Sequence, residues 1–372
     1  MINGLDHVVV LVRDIAAAEA AYQTLFARTP AWRNSGDGAD RVLFTLDNMT
    51  LELMAPNGEG ASADRIRSVI AQQGEGLASI CFRTSDVEKM YRRLDRLTLK
   101  PEPVTEAESR DATSGATLSW KRTRAATDAT RGVRLFFLEL AKERPLSVRT
   151  APASVTAMDH VVVATADPER AAALYGARLG HDMALDRSHP EWGRLMFFRC
   201  GDLVVEVVHR PGKDLDAARD RLWGLSWRVA DAAATRARLA SAGLDVSEVR
   251  AGRKPGTRVL TVRTGACGVP RCWWSGRQGR DFPSLRGRSR APARTAAGVS
   301  RLRLVGADQG HPRRPRHDGR RRDRHQIGPR GGRGAGFCRL FRDRDLFQRV
   351  VGKADGRGAA DLHRTAPVGD VS

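Results

Sequence analysis

Two histidines lie in nearly identical apolar contexts, and a glutamate follows each of them. His7 stands in LDHVVVLVRD and His160 in MDHVVVATAD, 153 residues further on. Glu52 follows in LFTLDNMTLEL and Glu206 in MFFRCGDLVVEV, at an offset of 154. An imidazole and a carboxylate are both ligands for a divalent metal, and they are also the partners of an imidazolium–carboxylate ion pair. The spacing therefore predicts one of these two kinds of site in each half of the chain.

The strands that carry these residues must point them into one cleft. Side chains alternate between the two faces of a strand, so His7 shares a face with Val9 and Leu11, while the other three valines share the opposite face. If a helix covers the all-valine face, His7 looks towards the concave side. Glu52 lies in TLELM, where a carboxylate costs several kcal/mol unless a cation or hydrogen-bond donors meet it. We therefore expect His7 and Glu52 to meet.

The repeat extends beyond these four residues. GLASICFRTSDVEKMYRRL matches GLSWRVADAAATRARLASAGL at an offset of 145, which predicts a shorter loop in the second copy. An aspartate precedes each predicted helix at the position of an N-cap, where its carboxylate accepts hydrogen bonds from the first turn; the four are Asp14, Asp86, Asp167 and Asp231. Short apolar strands follow each helix. The pattern predicts four β-α-β-β-β units in two pairs, which is an α+β fold.

These units define the expected domains. Residues 1–144 form the first, residues 145–157 form a polar, proline-bearing linker, and residues 158–270 form the second. The final strand of the second domain is expected to be lost, because RCWWS stands where an apolar closing strand is needed. Residues 271–372 form a basic tail that we expect to be disordered.

Charge is concentrated in that tail. Its 102 residues hold 24 Arg, one Lys, nine Asp and no Glu, and so carry +16 of the chain's +20. The first 270 residues carry only +4 and have the composition of an ordinary soluble protein. The five cysteines form no CxxC pair, which argues against a zinc knuckle or a disulfide framework. No stretch has the roughly 18 apolar residues of a membrane span, and we expect a cytoplasmic protein.

The tail has two interpretations. Shifting the reading frame after Pro270 turns the codons of Cys-Trp-Trp-Ser into an apolar Leu-Val-Val run, which is the missing strand. We therefore hypothesise that the tail is an out-of-frame translation of a GC-rich gene. The alternative is a genuine arginine- and glycine-rich arm that binds polyanions without specificity. The tail resembles no family.

The repeated motifs resemble the vicinal oxygen chelate superfamily, which includes glyoxalases, bleomycin-resistance proteins and extradiol dioxygenases and is built of paired βαβββ modules forming cups. The resemblance covers about residues 1–270 and implies that a first-strand His in a "DHV" context and a fourth-strand Glu are metal ligands. His7 and Glu52 match these positions in the first copy. His160 and Glu206 match them, as a weaker site, in the second.

The family's other two ligands are only partly matched. Its second His corresponds to Ser79 in the first copy and Gly224 in the second, which cannot replace an imidazole. Its last ligand, a Glu on the final strand, matches Glu139 in RLFFLEL. The resemblance thus implies a site of His7, Glu52 and Glu139 for a divalent metal (Mn, Fe, Ni, Mg or Zn), with Glu139 also able to act as the catalytic base. The alternative is a metal-free His7–Glu52 ion pair.

The function implied is a glyoxalase-like small-molecule enzyme of the lyase or isomerase type, with its site in the first copy. One alternative is a metal-free protein of the bleomycin-resistance kind that only sequesters its ligand. A second is a ring-cleaving dioxygenase, which needs two His and one carboxylate in one cup, whereas the second and fourth units contain no His. We expect a small-molecule substrate and neither a specific nucleic acid nor a membrane as partner. A homodimer is left open.

Overall fold

The computed structural model describes residues 1–190, 193–211, 219–252, 256–265 and 267–269, together with the backbone of Arg271–Ser275. The predicted α+β class is confirmed. In the first copy the elements are β1 (Ile2–Leu11), α1 (Ile15–Phe26), β2 (Trp32–Gly36), β3 (Ala39–Thr45), β4 (Thr50–Pro56), α2 (Ala61–Gln73), β5 (Gly76–Thr84), α3 (Val87–Arg96), β6 (Thr105–Arg110), β7 (Thr117–Arg124) and β8 (Arg134–Leu140).

In the second copy the elements are β9 (Val155–Ala164), α4 (Pro168–Ala172), continued by a π-helical segment (Ala173–Arg178), β10 (Met183–His189), β11 (Gly193–Cys200), β12 (Leu203–His209), β13 (Arg221–Val229), α5 (Ala232–Ser241), β14 (Arg250–Ala251), β15 (Arg258–Val262) and β16 (Arg271–Ser275). Apart from α2, the order is that of four βαβββ units.

The two sheets have the same strand order. The first runs β2-β3-β4-β1-β5-β8-β7-β6, and the second runs β10-β11-β12-β9-β13-β16-β15-β14. In each unit the first strand pairs in parallel with the fourth, as β1 does with β4 and β5 with β8. The first strands of paired units, β1 with β5 and β9 with β13, lie antiparallel in the middle of their sheets. Each sheet is thus two units joined edge to edge.

The predicted helix caps are confirmed. Asp14 accepts hydrogen bonds from the backbone of the first turn of α1, and Asp86, Asp167 and Asp231 do the same for their helices. These carboxylates satisfy N–H groups that have no partner within the helix. Because each cap directly follows a central strand, it fixes the point at which the chain leaves the sheet.

Helix α2 was not predicted. It lies between β4 and β5, where the change of repeat offset from 154 to 145 indicated extra residues in the first copy. Its Ile66 and Ile70 form a separate apolar cluster with Val9 and Leu11 of β1, which lie on the face that His7 shares. The insertion therefore covers part of the concave face of the first sheet.

The main core lies on the opposite, convex face. Val8 and Val10 are fully buried there, as the strand alternation predicts. The core includes helical residues of both copies, and the ring of Phe26 in α1 lies edge-on, 4.8 Å from the ring of Trp227 in β13. Burying a large apolar side chain contributes about 1.5–3 kcal/mol. The two copies therefore share one core.

The predicted linker overlaps the first strand of the second copy. Strand β9 starts at Val155, inside the range 145–157 that was assigned to the linker. The buried guanidinium of Arg28, two residues after the end of α1, binds the linker and donates to the Val155 carbonyl at 2.6 Å and the Ser147 carbonyl at 2.9 Å. These bonds dock the connection between the two sheets.

The expectation that the second copy lacks its closing strand is wrong. The backbone of Arg271–Ser275 forms β16, parallel to β13 and antiparallel to β15. A sheet ladder is made by backbone groups, and cysteine followed by two tryptophans is compatible with an extended chain because aromatic residues favour strands. The second domain therefore continues past the predicted boundary at residue 270.

The rest of the predicted disordered tail, from residue 276, lies outside the described residues. The out-of-frame hypothesis therefore stays a hypothesis. Every helix in the described part of the chain is too short or too polar to cross a bilayer.

Replacing Arg28 with Ala tests the connection between the copies. The change leaves two buried carbonyls without their donor and removes an ion pair with Asp47. We expect a loss of about 2–6 kcal/mol in the free energy of unfolding, because each buried carbonyl left without a donor costs about 1–3 kcal/mol. Arg149→Ala is the control, because its exposed guanidinium also contacts Asp47 and its removal should cost about 1 kcal/mol or less. Equal losses in urea denaturation would contradict the assignment.

His181 predicts a pH dependence of stability. It is buried between the copies, with its ring 5.2 Å from that of Phe82, and burial lowers its pKa from 6.5 to about 4. As the pH falls from 6.5 towards 4, the unfolded chain takes up a proton that the folded chain does not, so folding loses up to about 3 kcal/mol. We expect His181→Gln to remove this loss in urea denaturation at pH 7, 5 and 4. His189→Gln should keep it, and an unchanged slope in His181→Gln would refute the interpretation.

Candidate functional site

The structure brings His7 and Glu52 together on the concave face of the first sheet. The Nε2 atom of His7 lies 3.5 Å from Oε2 of Glu52, and each side chain is 13% exposed. The parallel register of β1 and β4 sets Thr50 opposite His7 and Val9 opposite Glu52, so the two side chains point to the same face from adjacent strands. The predicted meeting of these residues is confirmed.

Asp6 completes this arrangement, although sequence reasoning assigned it no role. It lies at an irregularity in the pairing of β1 with β5 and is fully buried. Its Oδ1 is 2.7 Å from Nδ1 of His7 and 2.6 Å from Nη1 of Arg144, and its Oδ2 is 3.1 Å from Nε of Arg83. The signal that could have revealed it is the Asp-His pair itself, which both copies contain.

The protonation of this group follows from its neighbours. Burial alone would raise the pKa of Asp6, but the hydrogen bond with His7 and the charge of Arg144 hold that pKa well below its usual range. Burial alone would lower the pKa of His7, but the neighbouring Cys81 and Asp6 outweigh burial and raise it. The raised pKa favours the imidazolium form of His7, in which one N–H is directed to Asp6 and the other towards Glu52.

Glu52 also faces a second cation. Its Oε1 atom lies 3.5 Å from Nε of Arg41 on β3, while its Oε2 faces His7. The carboxylate is thus held between two positive groups in a largely buried setting, where such contacts are stronger than in water. Both contacts are longer than the 2.7–2.9 Å of a well-formed charged hydrogen bond. Glu52 is therefore oriented by His7 and Arg41, but it forms no short charged hydrogen bond with either of them.

The strand register identifies the positions that correspond to these residues in the second unit. Ser79 on β5 lies opposite Val9, and Arg134 on β8 lies opposite Ser79, as Thr50 lies opposite His7. Counting from its helix cap assigns Ser79 to the place of His7 in the second unit, and its pairing with Val9 puts it on the face that carries His7. Two residues beyond Arg134, Phe136 occupies the place of Glu52.

The prediction that Glu139 joins His7 and Glu52 is wrong. Glu139 lies on the same face of β8 as Leu135 and Phe137, whose side chains are in the convex core. Its Oε2 accepts a hydrogen bond of 2.8 Å from the backbone N–H of Val87, the first residue of α3. Sequence matching aligned the acid but missed a three-residue difference in register, and an odd difference places a side chain on the other face of a strand.

The second copy repeats the first arrangement. Nε2 of His160 lies 3.0 Å from Oε2 of Glu206, and Nδ1 lies 2.9 Å from Oδ2 of Asp159. Arg228 binds the other oxygen of Asp159 at 3.1 Å, as Arg83 binds Asp6. Leu195 stands at the register position of Arg41. The predicted His160–Glu206 pair is thus present, and its contact is shorter than that between His7 and Glu52.

The residues present do not fit the four-ligand metal site that the resemblance implies. Among the described residues, Asp6, His7 and Cys81 offer ligand atoms within 4.8 Å of one another. However, both oxygens of Asp6 contact arginines, and burial raises the pKa of the Cys81 thiol, which disfavours the thiolate that binds metals. In the first copy the remaining ligand positions are filled by Ser79 and Phe136.

Comparisons with known proteins agree with this architecture. A family model described as "Glyoxalase-like domain" matches residues 5–177, and one described as "Glyoxalase/Bleomycin resistance protein/Dioxygenase superfamily" matches residues 159–261. An ethylmalonyl-CoA/methylmalonyl-CoA epimerase of Cereibacter sphaeroides is 36% identical over 97 residues, which cover 25% of this chain and 70% of the epimerase.

Two solved structures have similar folds. A variant of 4-hydroxymandelate synthase from Streptomyces coelicolor aligns with a TM-score of 0.56 at 14% identity, over 76% of this chain and 95% of its own. An Mn(II)-bound glyoxalase from Novosphingobium aromaticivorans aligns with a TM-score of 0.51 at 13% identity, over 74% of this chain and 82% of its own. At these identities the likeness concerns the fold alone.

Substituting Asp6 tests whether its carboxylate organises the first site. Asp6→Asn leaves the buried Arg144 without its charged partner and removes one of the two carboxylates that Arg83 contacts, and we expect it to lower the free energy of unfolding by about 3 kcal/mol. Asp159→Asn is the matched control, because Asp159 is 22% exposed and contacts one arginine. Its loss should be about 1 kcal/mol. Equal losses in urea denaturation would show that Asp6 contributes no more to the stability of the fold than Asp159 does.

Proposed function

The chain belongs to the glyoxalase/bleomycin resistance protein/dioxygenase superfamily, and on this premise we propose that its first copy is a small-molecule enzyme of the lyase or isomerase type. The observation that carries the proposal is the Asp6–His7–Glu52 group, in which a cationic imidazole faces a carboxylate across 3.5 Å on the concave face. An acid and a base side by side are what a proton transfer next to a carbonyl needs.

In the proposed reaction Glu52 is the base and His7 is the acid. Glu52 removes a proton from the carbon beside a substrate carbonyl, and the Nε2–H of His7 donates a hydrogen bond to the carbonyl oxygen as it becomes an oxyanion. Asp6 holds the imidazole through Nδ1 and keeps it charged, which is a positioning role. Return of the proton from Glu52 to the neighbouring carbon, or to the same carbon after the planar enolate has turned over, gives an isomerase. Departure of a leaving group with its bonding electrons from the carbon next to the carbanion gives a lyase.

The first copy is the better candidate because the contact within its pair is longer. His7 and Glu52 are 3.5 Å apart, whereas His160 and Glu206 are 3.0 Å apart. A substrate oxygen competes more easily for a donor whose existing contact is long. The C. sphaeroides relative supports the reaction class, because its name describes an epimerase, and an epimerase inverts a carbon centre.

This proposal does not depend on a metal. A divalent ion would polarise the substrate oxygens if it were bound between His7 and Glu52. These are two of the four ligand positions, and Arg41 lies beside the same carboxylate, where its positive charge opposes that of the ion. We therefore derive no step through the metal.

A second candidate is a protein that binds its ligand without changing it. The occupation of two ligand positions by Ser79 and Phe136 favours this alternative over a ring-cleaving dioxygenase, which would need a second histidine in the same cup. Among the described residues the first copy contributes only His7. The cytoplasmic location, a homodimer and the binding of polyanions by the tail stay predictions.

Deuterium exchange tests the proposed function. The full chain is incubated in D₂O with methylmalonyl-CoA, ethylmalonyl-CoA or the hemithioacetal of an α-ketoaldehyde, and exchange beside the carbonyl is followed by proton NMR. We expect Glu52→Gln to lower the rate about 100-fold to 10 000-fold, the usual range for a lost general base. Glu206→Gln, the same change in the second copy, should leave the rate within about twofold.

Two outcomes separate the alternatives. A rate that survives EDTA agrees with proton transfer by the side chains alone, whereas a rate that EDTA abolishes and Mn²⁺ restores would overturn the metal-independent step. If no compound exchanges and its NMR signals nevertheless broaden with protein, the first cup binds its ligand without catalysis.

A further inference from the structure

Three arginines surround one aromatic ring beside the proposed catalytic pair. The guanidinium carbons of Arg122, Arg124 and Arg134 lie 6.0, 5.8 and 5.6 Å from the centre of the Phe136 ring. Phe136 is partly buried, although large aromatic residues at a purely structural position are usually packed against apolar side chains. The cluster has no role in the function proposed above.

The strand register places this cluster on the face that carries His7. His7 on β1 lies opposite Cys81 on β5, Cys81 lies opposite Phe136 on β8, and Phe136 lies opposite Arg124 on β7. Directly paired residues share a face of the sheet, and neighbouring strands are about 4.8 Å apart, so Phe136 lies about 10 Å from His7 along the sheet. This is the length of a small organic molecule.

Arg134 is the unusual member of the cluster. Its Nε atom is buried without a hydrogen-bond partner, and within the described part of the chain its guanidinium forms no salt bridge. A buried donor without a partner destabilises the fold, and more so when it is charged. The neighbouring Arg124 differs, because it contacts the carboxylate of Glu102.

The local charge is positive. Burial lowers the pKa of Arg134, and the charges of Arg124 and Arg65 lower it further, while Glu102 acts in the opposite direction. Arg65 belongs to α2, the helix inserted in the first copy, whose Ile66 and Ile70 pack on the concave face. The insertion therefore adds a positive charge to this end of the cup. Like charges gathered around a partly buried site destabilise the fold unless an anion offsets them.

We propose that Arg134, together with Arg122 and Arg124, binds an anionic group at the far end of the substrate. This group is a carboxylate or a phosphate. The inference deepens the proposed function, on which it rests for the identity of the reacting end. The anionic end lies on the three guanidinium groups and a flat or apolar part lies against Phe136. The carbonyl end extends about 10 Å along the sheet to His7 and Glu52. Arginine suits this task because its planar fork matches the geometry of both anions.

Calorimetric titration of the full chain with three simple probes tests the inference. Phenyl phosphate and benzoate supply the two anions on a flat ring, and benzyl alcohol supplies the ring without charge. We expect one or both anions to bind at least tenfold more tightly than benzyl alcohol. The tighter anion identifies the kind of oxyanion. Binding should weaken as NaCl is raised from 0.05 to 0.5 M, because salt screens these contacts.

Arg134→Gln should weaken binding of the preferred anion about tenfold to 100-fold, since it removes a charged hydrogen-bonding group. Arg122→Gln, at an exposed position, should weaken it several-fold and serves as the second variant if Arg134→Gln fails to fold. Arg92→Gln is the matched control, because it removes the same charge from the exposed surface of α3. Its affinity should stay within about twofold. The basic tail is identical in all variants, so its contribution to anion binding cancels.

Glu52→Gln separates the inference from the proposed function. It should lower the rate of deuterium exchange about 100-fold to 10 000-fold and leave the affinity for the anion within about twofold. If the wild-type chain binds the anions no better than benzyl alcohol, or if Arg134→Gln binds them as tightly as Arg92→Gln, the inference is overturned whatever the exchange assay shows. If the anion binds through Arg134 and no exchange occurs, the subsite stands and the proposed reaction fails.

Discussion

The buried carboxylate of Asp6 is the interaction on which the first cup depends. One side chain on β1 holds Arg83 of β5, Arg144 of the segment after β8 and the imidazole of His7. It therefore ties together both units of the sheet and sets the charge of the proposed acid. Asp6 also orients Glu52 indirectly, because the carboxylate of Glu52 faces the imidazole that Asp6 holds in place.

The sequence predicted the features that depend on local rules. Helix caps need only an aspartate before an apolar stretch, and the facing of His7 and Glu52 needs only the period of a strand. It failed where a result depends on pairing between distant strands. The position of Glu139 required the register of β8, and that register assigns Phe136 to the place of the expected ligand. The three residues that separate Phe136 from Glu139 become significant only when the pairing of β8 with β5 is known.

Other failures have related causes. Helix α2 has an apolar stripe of only a few residues, and it is stabilised by the concave face on which it packs. Strand β16 was not predicted because RCWWS lacks the apolar pattern of a closing strand. The hydrogen bonds of a sheet, however, are made by backbone groups. The Arg122, Arg124 and Arg134 cluster was missed because basic residues in a strand usually face solvent. Only the fold shows that they surround one ring.

The common core makes the stability of each copy depend on the other. Phe26 of the first copy rests on Trp227 of the second, and the helices of both copies contribute to the same apolar interior. Neither half could be cut out as a free module without exposing that interior to water. The second cup therefore stabilises the first through the shared core, independently of any site that it carries itself.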